Sequence, residues 1–185
     1  MMRSDKPRIY LAGPDVFRVD SDTHGAHLIQ LCAAHGVTGV YPADNGMVAG
    51  INAMLRAGQP PSEVARAIFR ANADRLRTCD AVLANIDPFR SPGADNGTAW
   101  EMGMAYGLGL PVFAYTSDLR TTREKISNWH CAPFSVQDGI IRDRDGMMVE
   151  DFGEVDNLML TCSVVGERVH PDFLSALRAA AAHLA

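Results

Sequence analysis

The chain has 185 residues, of which 47% are hydrophobic and 21% charged, and its 22 acidic and 17 basic residues leave a net charge of −5. This ordinary composition excludes a disordered chain, a collagen-like repeat and a disulfide-stapled miniprotein, and an acidic balance without a basic run argues against nucleic-acid binding. No apolar run approaches the about 18 residues that cross a bilayer, and the N-terminal residues are too polar for a signal peptide, so we expect a cytoplasmic protein without a membrane partner.

The cysteines and histidines form no metal-binding pattern. The cysteines are far apart, form no CxxC pair and are expected to be buried or half-buried free thiols: Cys32, Cys79, Cys131 and Cys162. His24 and His27 lie three residues apart, but no carboxylate or cysteine follows at metal-site spacing. We therefore expect neither a metal nor a cofactor.

Short apolar runs that end at Gly or Pro alternate with segments of helical periodicity. The predicted elements are, in chain order, a strand at 9–12, a helix at 22–35, a strand at 37–41, a loop at 43–61, a helix at 62–78, a strand at 81–86, a loop at 87–97, a helix at 98–108, a strand at 111–115 and a final helix near 176–184. This alternation predicts an α/β fold, namely a single-domain flavodoxin- or Rossmann-like parallel sheet of about five strands with helices on both faces. A hairpin is expected within 119–156, because Asp-Gly occurs there at 138–139 and at 145–146.

Two segments that leave predicted strands have unusual content. They read YLAGPDVF at 10–17 and DPFRSPGADNGTAWE at 87–101. Ligands of open α/β sheets bind beyond the carboxyl ends of the strands, so the two segments meet in one cleft if the first and third strands are neighbours. The residues that would line this cleft are Tyr10, Asp15, Phe17, Asp95 and Glu101.

Glu101 has two interpretations. The run from Thr98 to Glu101 matches the S/T-x-x-E capping box, in which the glutamate only closes the start of the helix. Alternatively, a carboxylate in the first helical turn is kept ionised by the helix dipole, and it can then attack C1′ of a sugar, as in retaining glycoside cleavage.

The other candidates also have a structural and a functional interpretation. Asp95 is either a loop residue before an Asn96-Gly97 turn or a second carboxylate of the site. Tyr10 and Phe17 are either core aromatics or contacts of a base. Asn72 must find a partner or line a cavity, because the same face of its predicted helix is otherwise apolar, with Ala65, Ile68, Phe69 and Leu76.

Four segments together resemble one known family. The run DNGTAWEMGMAYGLGLPVFAY resembles the D-x-G-[TS]-x-x-E-x-G-x-A…G-x-P-V signature of the nucleoside 2-deoxyribosyltransferases. The runs IYLAGPDVF, IFRANADRLRTCDAVLANIDPFR and DNLML are similar to that family's first strand, its middle helix with the third strand, and its Asn-Leu-Met motif. The resemblance covers about residues 8–118 and 149–163.

The resemblance implies a ping-pong reaction of nucleoside salvage. Glu101 would attack C1′ of a 2′-deoxynucleoside, release the base and carry a covalent 2-deoxyribosyl ester until a second base attacks. By family position, Asp95 would bind the sugar hydroxyls, Tyr10 would orient Glu101 and Phe17 would pack on the base. Asp15 and Gly97 are assigned to substrate binding as well.

Two further implications concern the neighbouring subunit and the leaving base. Asn157 and Met159 resemble residues that one subunit lends to the site of another, which implies a homodimer or a higher homo-oligomer. Asn72 stands where some members have an aspartate, and an amide can bind the base but cannot act as a general acid. The proton for the leaving base would then come from Asp15 or from water.

Two other functions are kept as alternatives. A hydrolase of deoxynucleoside 5′-monophosphates would need phosphate donors near the first loop, where Arg18 would attract a phosphate and Asp15 would repel it. A non-catalytic nucleotide-binding module would use the same sheet, and Glu101 would then only cap its helix.

Overall fold

The computed structural model describes residues 6–43 and 45–185, so the polar N-terminus and residue 44 of the predicted 43–61 loop lie outside it. Its strands are β1 (Arg8–Ala12), β2 (Thr38–Val40), β3 (Ala81–Asn85), β4 (Val112–Tyr115), β5 (Ser135–Gln137), β6 (Ile140–Arg142) and β7 (Val169–His170). Its α-helices are α1 (Ser21–Ala34), α2 (Asn45–Arg56), α3 (Pro61–Arg77), α4 (Asn96–Gly107), α5 (Thr122–His130), α6 (Leu158–Thr161) and α7 (Phe173–Leu184).

Five of these strands pair in one parallel sheet, in the order β2-β1-β3-β4-β7. In this register Tyr10 lies opposite Val40 on one side and Val82 on the other. The predicted α/β fold with a parallel sheet of about five strands is confirmed, and β1 and β3 are neighbours as the predicted cleft requires. The sequence analysis did not find β7, because two residues are too few to show a periodicity.

Helices cover both faces of the sheet because successive side chains of a strand point to opposite sides. Ile9 and Leu11 pack in one buried cluster with residues of α1 and α7. Tyr10 and Ala12 point the other way, into a second cluster with residues of α3 and α4. Tyr10 is therefore the one polar side chain that the buried part of β1 places on the side of α4.

The segment predicted as a loop over 43–61 contains α2 instead, so that prediction is wrong. Its Gly and Asn residues have low helix propensity, but tertiary packing overrides such weak preferences. The helix packs against α3, and its half-buried residues Ile51 and Met54 lie three positions apart. Contact with a neighbouring helix therefore decided the structure of this segment.

The region at 119–156 contains one element that was predicted, a hairpin, and one that was not, a helix. The hairpin is confirmed, since β5 and β6 pair antiparallel around Asp138 and Gly139, which both have positive φ. The helix α5 was missed, although Thr121 and Glu124 form a true capping box at its start. A local signal for this helix was therefore present in the sequence.

Two other expectations concern thiols and membranes. All four cysteines are free, but only two are buried as predicted, Cys32 and Cys79, whereas Cys131 and Cys162 are exposed. Over 6–43 and 45–185, no helix has both the length and the apolar content that crossing a bilayer requires.

Candidate active site

The centre of the site is a hydrogen bond between two distant residues. The hydroxyl of Tyr10, in the middle of β1, donates to Oε1 of Glu101 in α4 at 2.6 Å. The Tyr10 side chain is fully buried, and both the ring and the carboxyl lie on the side of the sheet that α3 and α4 cover. The sheet therefore holds the phenol rigidly and, through it, one oxygen of the glutamate.

The capping-box interpretation of Glu101 is wrong. The helix begins at Asn96, and its N-cap is Asp95, whose Oδ2 accepts from the backbone N of Thr98 at 3.0 Å. Glu101 is the sixth residue of the helix and lies in its second turn, so it cannot close the first. Asn96 and Gly97 form the first turn of the helix rather than a preceding loop, because Asp95 satisfies the free N–H groups there.

Gly97 lies against the carboxylate that caps the helix. A Cβ atom at this position would stand 2.9 Å from Asp95 Oδ2, which is closer than van der Waals contact allows. The glycine therefore leaves room for Asp95. Whether Gly97 also contacts substrate stays a prediction.

Burial dominates the electrostatics of Glu101. The pKa of Glu101 is raised from 4.5 to about 7, mainly because burial disfavours the charged form. The hydrogen bond from Tyr10 lowers this pKa, and the nearby charge of Asp95 raises it. The expectation that Glu101 lies in the first helical turn is wrong, so the helix dipole favours its ionised form less than predicted, and burial opposes that form. Burial and the Glu101 carboxylate also raise the pKa of Tyr10, so the Tyr10 hydroxyl keeps the proton that it donates.

Asp15 follows β1 and has its partners elsewhere in the cleft. Its Oδ2 accepts from Nδ2 of Asn85 at 2.9 Å, and its Oδ1 lies 3.2 Å from Nε2 of His24 in α1. Gly13 permits this approach, since a Cβ there would stand 2.8 Å from the Cβ of Asn85. The loops after β1 and β3 thus meet as predicted, but Asp15 is joined to α1 and β3 rather than to α4. Asn85, which ends an otherwise apolar strand, was not among the residues predicted for the site.

Phe17 belongs to an exposed aromatic cluster. It is 58% exposed, and its ring stacks on that of Phe89 with centroids 5.1 Å apart and planes 13° from parallel. The guanidinium of Arg90 lies 4.6 Å from the Phe89 ring and 5.2 Å from the Phe17 ring. Phe17 is therefore not a core aromatic. Phe89 and Arg90 were missed, although both belong to the loop that the sequence analysis singled out.

Asn72 in α3 has a buried amide oxygen that accepts no hydrogen bond from the part of the chain that the structure describes. One turn earlier, Phe69 packs edge-to-face on Trp100, the neighbour of Glu101, at 5.1 Å. One turn later, Leu76 joins the buried cluster that contains Tyr10. The amide therefore lies on the helix face directed to the Tyr10–Glu101 pair, where an unpaired acceptor suits a ligand that donates a hydrogen bond.

The apolar face predicted for this helix needs a correction. Ala65 and Phe69 are exposed, and the buried stripe of α3 consists of Val64, Ala73 and Leu76. The helix is turned so that small and branched side chains face the sheet, which leaves the large Phe69 ring at the seam with α4.

Asn157 and Met159 do not join the Glu101 site of their own chain. The Asn157 side chain caps α6, accepting from the backbone N of Met159 at 3.0 Å, and Met159 is 72% exposed. Met159 lines an apolar groove of about 400 Å³ together with Ala99 and Gly103 of α4. Those two residues lie about 200° around the helix from Glu101, so the groove is on the opposite side of α4.

Two observations bear on the phosphate site of the hydrolase alternative and on metal binding. The Arg18 guanidinium is engaged by Asp20 through two contacts of 2.9 and 3.1 Å. Among the described residues, no three His, Cys, Asp or Glu side chains converge in a way that could hold a metal ion.

A family model and a curated relative each match most of this chain. The model of the nucleoside 2-deoxyribosyltransferase family matches residues 9–159. An uncharacterised protein of Schizosaccharomyces pombe is 30% identical over 163 residues, which cover 83% of this chain and 74% of that protein.

Two solved structures are also similar. A 2-deoxyribosyltransferase from Leishmania mexicana superposes with a TM-score of 0.70 at 29% identity, covering 96% of this chain and 98% of the other. A 2-deoxyribosyltransferase from Bacillus psychrosaccharolyticus, with a TM-score of 0.52 at 21% identity, covers 92% of this chain and 90% of its own and shares the fold.

Proposed function

Because the chain belongs to the nucleoside 2-deoxyribosyltransferase family, we propose that it moves the 2-deoxyribosyl group of a deoxynucleoside from one nucleobase to another. The observation that carries the proposal is the half-buried Glu101 carboxyl, which the Tyr10 hydroxyl holds through one oxygen at 2.6 Å. The other oxygen, Oε2, accepts no hydrogen bond from the residues that the structure describes. It is therefore available to a substrate.

In the proposed mechanism, Glu101 is the nucleophile. Its free oxygen forms a bond to C1′ while the bond from C1′ to the base nitrogen breaks through an oxocarbenium-like transition state. The base leaves with a proton from Asp15 or water, and a nitrogen of a second base then attacks C1′ of the covalent deoxyribosyl ester. The C1′–O bond breaks and releases the carboxylate, while the second base gives up its N–H proton to Asp15 or water. The reaction needs the ionised carboxylate, and the positive charge that develops on the sugar stabilises that form in a site with little water.

The neighbouring side chains are assigned by their chemistry. Asp95 caps α4 through Oδ2, which leaves Oδ1 for the sugar hydroxyls. Asn72 would accept a hydrogen bond from an N–H group of the base through its unpaired oxygen. Phe17 would pack on the base from the outer rim of the cleft. An amide cannot supply a proton, so Asp15 or water protonates the leaving base.

The active unit in this proposal is a homodimer or a higher homo-oligomer. Two large apolar side chains that line the groove beside α4, Tyr106 and Met159, are 66% and 72% exposed. Single exposed apolar residues are common, but a contiguous group suits an interface with another protein. Asn157 and Met159 would then complete the site of a neighbouring subunit. The exchange would serve nucleoside salvage in the cytoplasm.

The test is an exchange assay followed by chromatography. The purified protein is incubated with 2′-deoxyadenosine or thymidine and a second free base, in parallel with Glu101→Ala and with Glu63→Ala, an exposed control in the first turn of α3. We expect a new deoxynucleoside from the wild type and the control, and none from Glu101→Ala. Release of free base without a new nucleoside would indicate the hydrolase, to be checked with the 5′-monophosphate. Binding without any turnover would indicate the nucleotide-binding module.

A further inference from the structure

One buried carboxylate outside the reacting centre connects two segments of the site. Asp156 is only 5% exposed, although it lies in a loop. Its Oδ2 accepts from the backbone N of Ala94 at 2.9 Å, and its Oδ1 accepts from the backbone N of Asn157 at 2.7 Å. Ala94 directly precedes Asp95, the N-cap of α4. A single side chain therefore contacts both the loop that leads to Glu101 and the segment that carries Asn157.

The 87–95 loop is fixed at its start and in its middle by other groups. At the start, Asp87 Oδ1 accepts from the backbone N of Ser117 at 2.6 Å, which ties the loop to the end of β4. In the middle, the backbone N of Phe89 donates to the carbonyl of Gly93 at 3.0 Å. At the end, before the Asp95 cap, the contact with Asp156 holds the loop. Asp156 thus holds the end of the loop, directly before the Asp95 cap of α4.

Two features of the sequence allow a carboxylate to be buried here. Gly93 leaves room for it, since a Cβ at that position would stand 3.2 Å from Asp156 Oδ1. Lys125 of α5 supplies an opposite charge from a side chain that is itself buried, and its Nζ donates to the carbonyl of Val155 at 2.6 Å. Burial raises the pKa of Asp156, while its two backbone hydrogen bonds and Lys125 oppose that rise.

We propose that Asp156 is a positioning residue that aligns the loop carrying Asp95 with the segment carrying Asn157. The proposal rests on the proposed function, in which one segment serves the chain's own site and the other serves that of a neighbouring subunit. Both segments depend on one carboxylate, so a change at Asp156 disturbs both at once. An exposed carboxylate of the same region would disturb neither.

The first test uses Asp156→Asn with Asp151→Asn as its matched control. The two backbone N–H groups donate to different oxygens of Asp156, and in Asn one of these oxygens becomes an NH2 group, which donates and cannot accept. Asp151 lies in the same region but is exposed and pairs with Arg123 at 2.6 Å. We expect kcat/KM for base exchange to fall at least about tenfold in Asp156→Asn, as loss of one bond to a charged group implies. Asp151→Asn should stay within about twofold of the wild type.

The second readout is hydrogen–deuterium exchange, which does not depend on activity. Peptides covering 87–95 and 157–162 should exchange faster in Asp156→Asn, and peptides from α1 and β1 should not change. A merely structural defect would instead lower the thermal midpoint and accelerate exchange throughout the sheet. If the wild type does not exchange bases, the proposed function fails, and the peptide pattern still tests the positioning role.

Gly93→Ala provides a milder variant if Asp156→Asn does not fold. Its Cβ would press on the Asp156 carboxylate without removing it, and Gly107→Ala, where an added Cβ meets nothing within 4 Å, is the matched control. We expect the same two peptides to exchange faster in Gly93→Ala, with kcat/KM lowered about threefold or more, as a strained hydrogen bond implies. The proposal would be overturned if hydrogen–deuterium exchange in both segments stayed unchanged in Gly93→Ala, or if it changed equally in Gly107→Ala.

Discussion

Glu101 in α4 is a half-buried carboxylate and Asp156 before α6 a buried one, and their hydrogen-bond partners differ. Glu101 accepts one bond, from the hydroxyl of Tyr10, and its second oxygen accepts none from the described residues. Asp156 accepts backbone N–H bonds with both oxygens, and the charge of Lys125 lies nearby. Burial raises the pKa of each carboxyl.

We expect the number of occupied oxygens to distinguish the proposed nucleophile, Glu101, from the proposed positioning residue, Asp156. A buried carboxylate whose two oxygens both accept bonds holds the groups that donate to them. One whose second oxygen is unoccupied is left with an unfavourable charge that a substrate can relieve. This charge should therefore lower the free energy of unfolding by a measurable amount. The variants below test the contrast between the two carboxylates, from the largest expected effect to the smallest.

Glu101→Gln should abolish exchange and yet stabilise the fold. Loss of the nucleophile should lower the exchange rate at least about a thousandfold, since an amide cannot form the ester. Gln keeps an oxygen for the Tyr10 hydroxyl but never ionises. The assay is the base-exchange rate at pH 8, with the free energy of unfolding measured by urea at pH 4.5 and at pH 8.

The sign of the stability change follows from the raised pKa. Because folding raises the pKa of Glu101 from 4.5 to about 7, ionisation destabilises the folded state. This cost is absent at pH below 4.5, grows as the pH rises and is complete above pH 7. Relative to the wild type, Glu101→Gln should thus gain on the order of 3 kcal/mol at pH 8 and little at pH 4.5. A variant that is less stable than the wild type at pH 8 would refute the distinction.

Tyr10→Phe should remove the hydrogen bond from the Tyr10 hydroxyl to Glu101, which makes Glu101 differ further from the doubly bonded Asp156. A hydrogen bond to a charged group contributes about 1.5–3 kcal/mol, so kcat/KM should fall roughly ten- to a hundredfold. The bond from Tyr10 lowers the pKa of Glu101, so its loss should move the acid limb of the pH–rate profile to higher pH.

The matched control for that variant is Tyr41→Phe. The Tyr41 hydroxyl is also buried and shares a hydrogen bond of 3.0 Å with Ser21, but it is not bonded to Glu101. The control should lose about 1 kcal/mol of stability and keep the acid limb of the wild type. A shift of that limb to lower pH in Tyr10→Phe, or the same shift in both variants, would contradict the assignment.

Asp95→Asn and Asp95→Ala should separate the capping role of Asp95 from its charge. Asn caps a helix about as well as Asp, so Asp95→Asn should keep its stability, whereas Asp95→Ala should lose about 1 kcal/mol. Both remove the charge that raises the pKa of Glu101, so both should move the acid limb to lower pH. Exchange should fall about three- to tenfold in both through the lost sugar contact. Equal stability of the two variants would exclude the capping role.

Two occurrences of the same short motif show where prediction from sequence fails. Thr98 to Glu101 and Thr121 to Glu124 both fit the S/T-x-x-E pattern, but only the second forms a capping box. The first fails because Asp95 caps the helix three residues earlier and Tyr10 binds the glutamate. A motif of four residues does not contain either fact, since both depend on residues outside it.

The sequence alone determined the α/β class, the two loops of the cleft and Glu101 as a candidate nucleophile, because periodicity, turn residues and motif spacing are local properties. The family resemblance already paired Tyr10 with Glu101, but only the tertiary structure decided that this bond occupies a single oxygen and that burial raises the pKa of the carboxyl. Tyr10 and Glu101 lie 91 positions apart, and Ala94 and Asp156 lie 62 apart. Such contacts, and the loss of solvent that raises a pKa, arise when helices pack on the sheet, so no short segment encodes them.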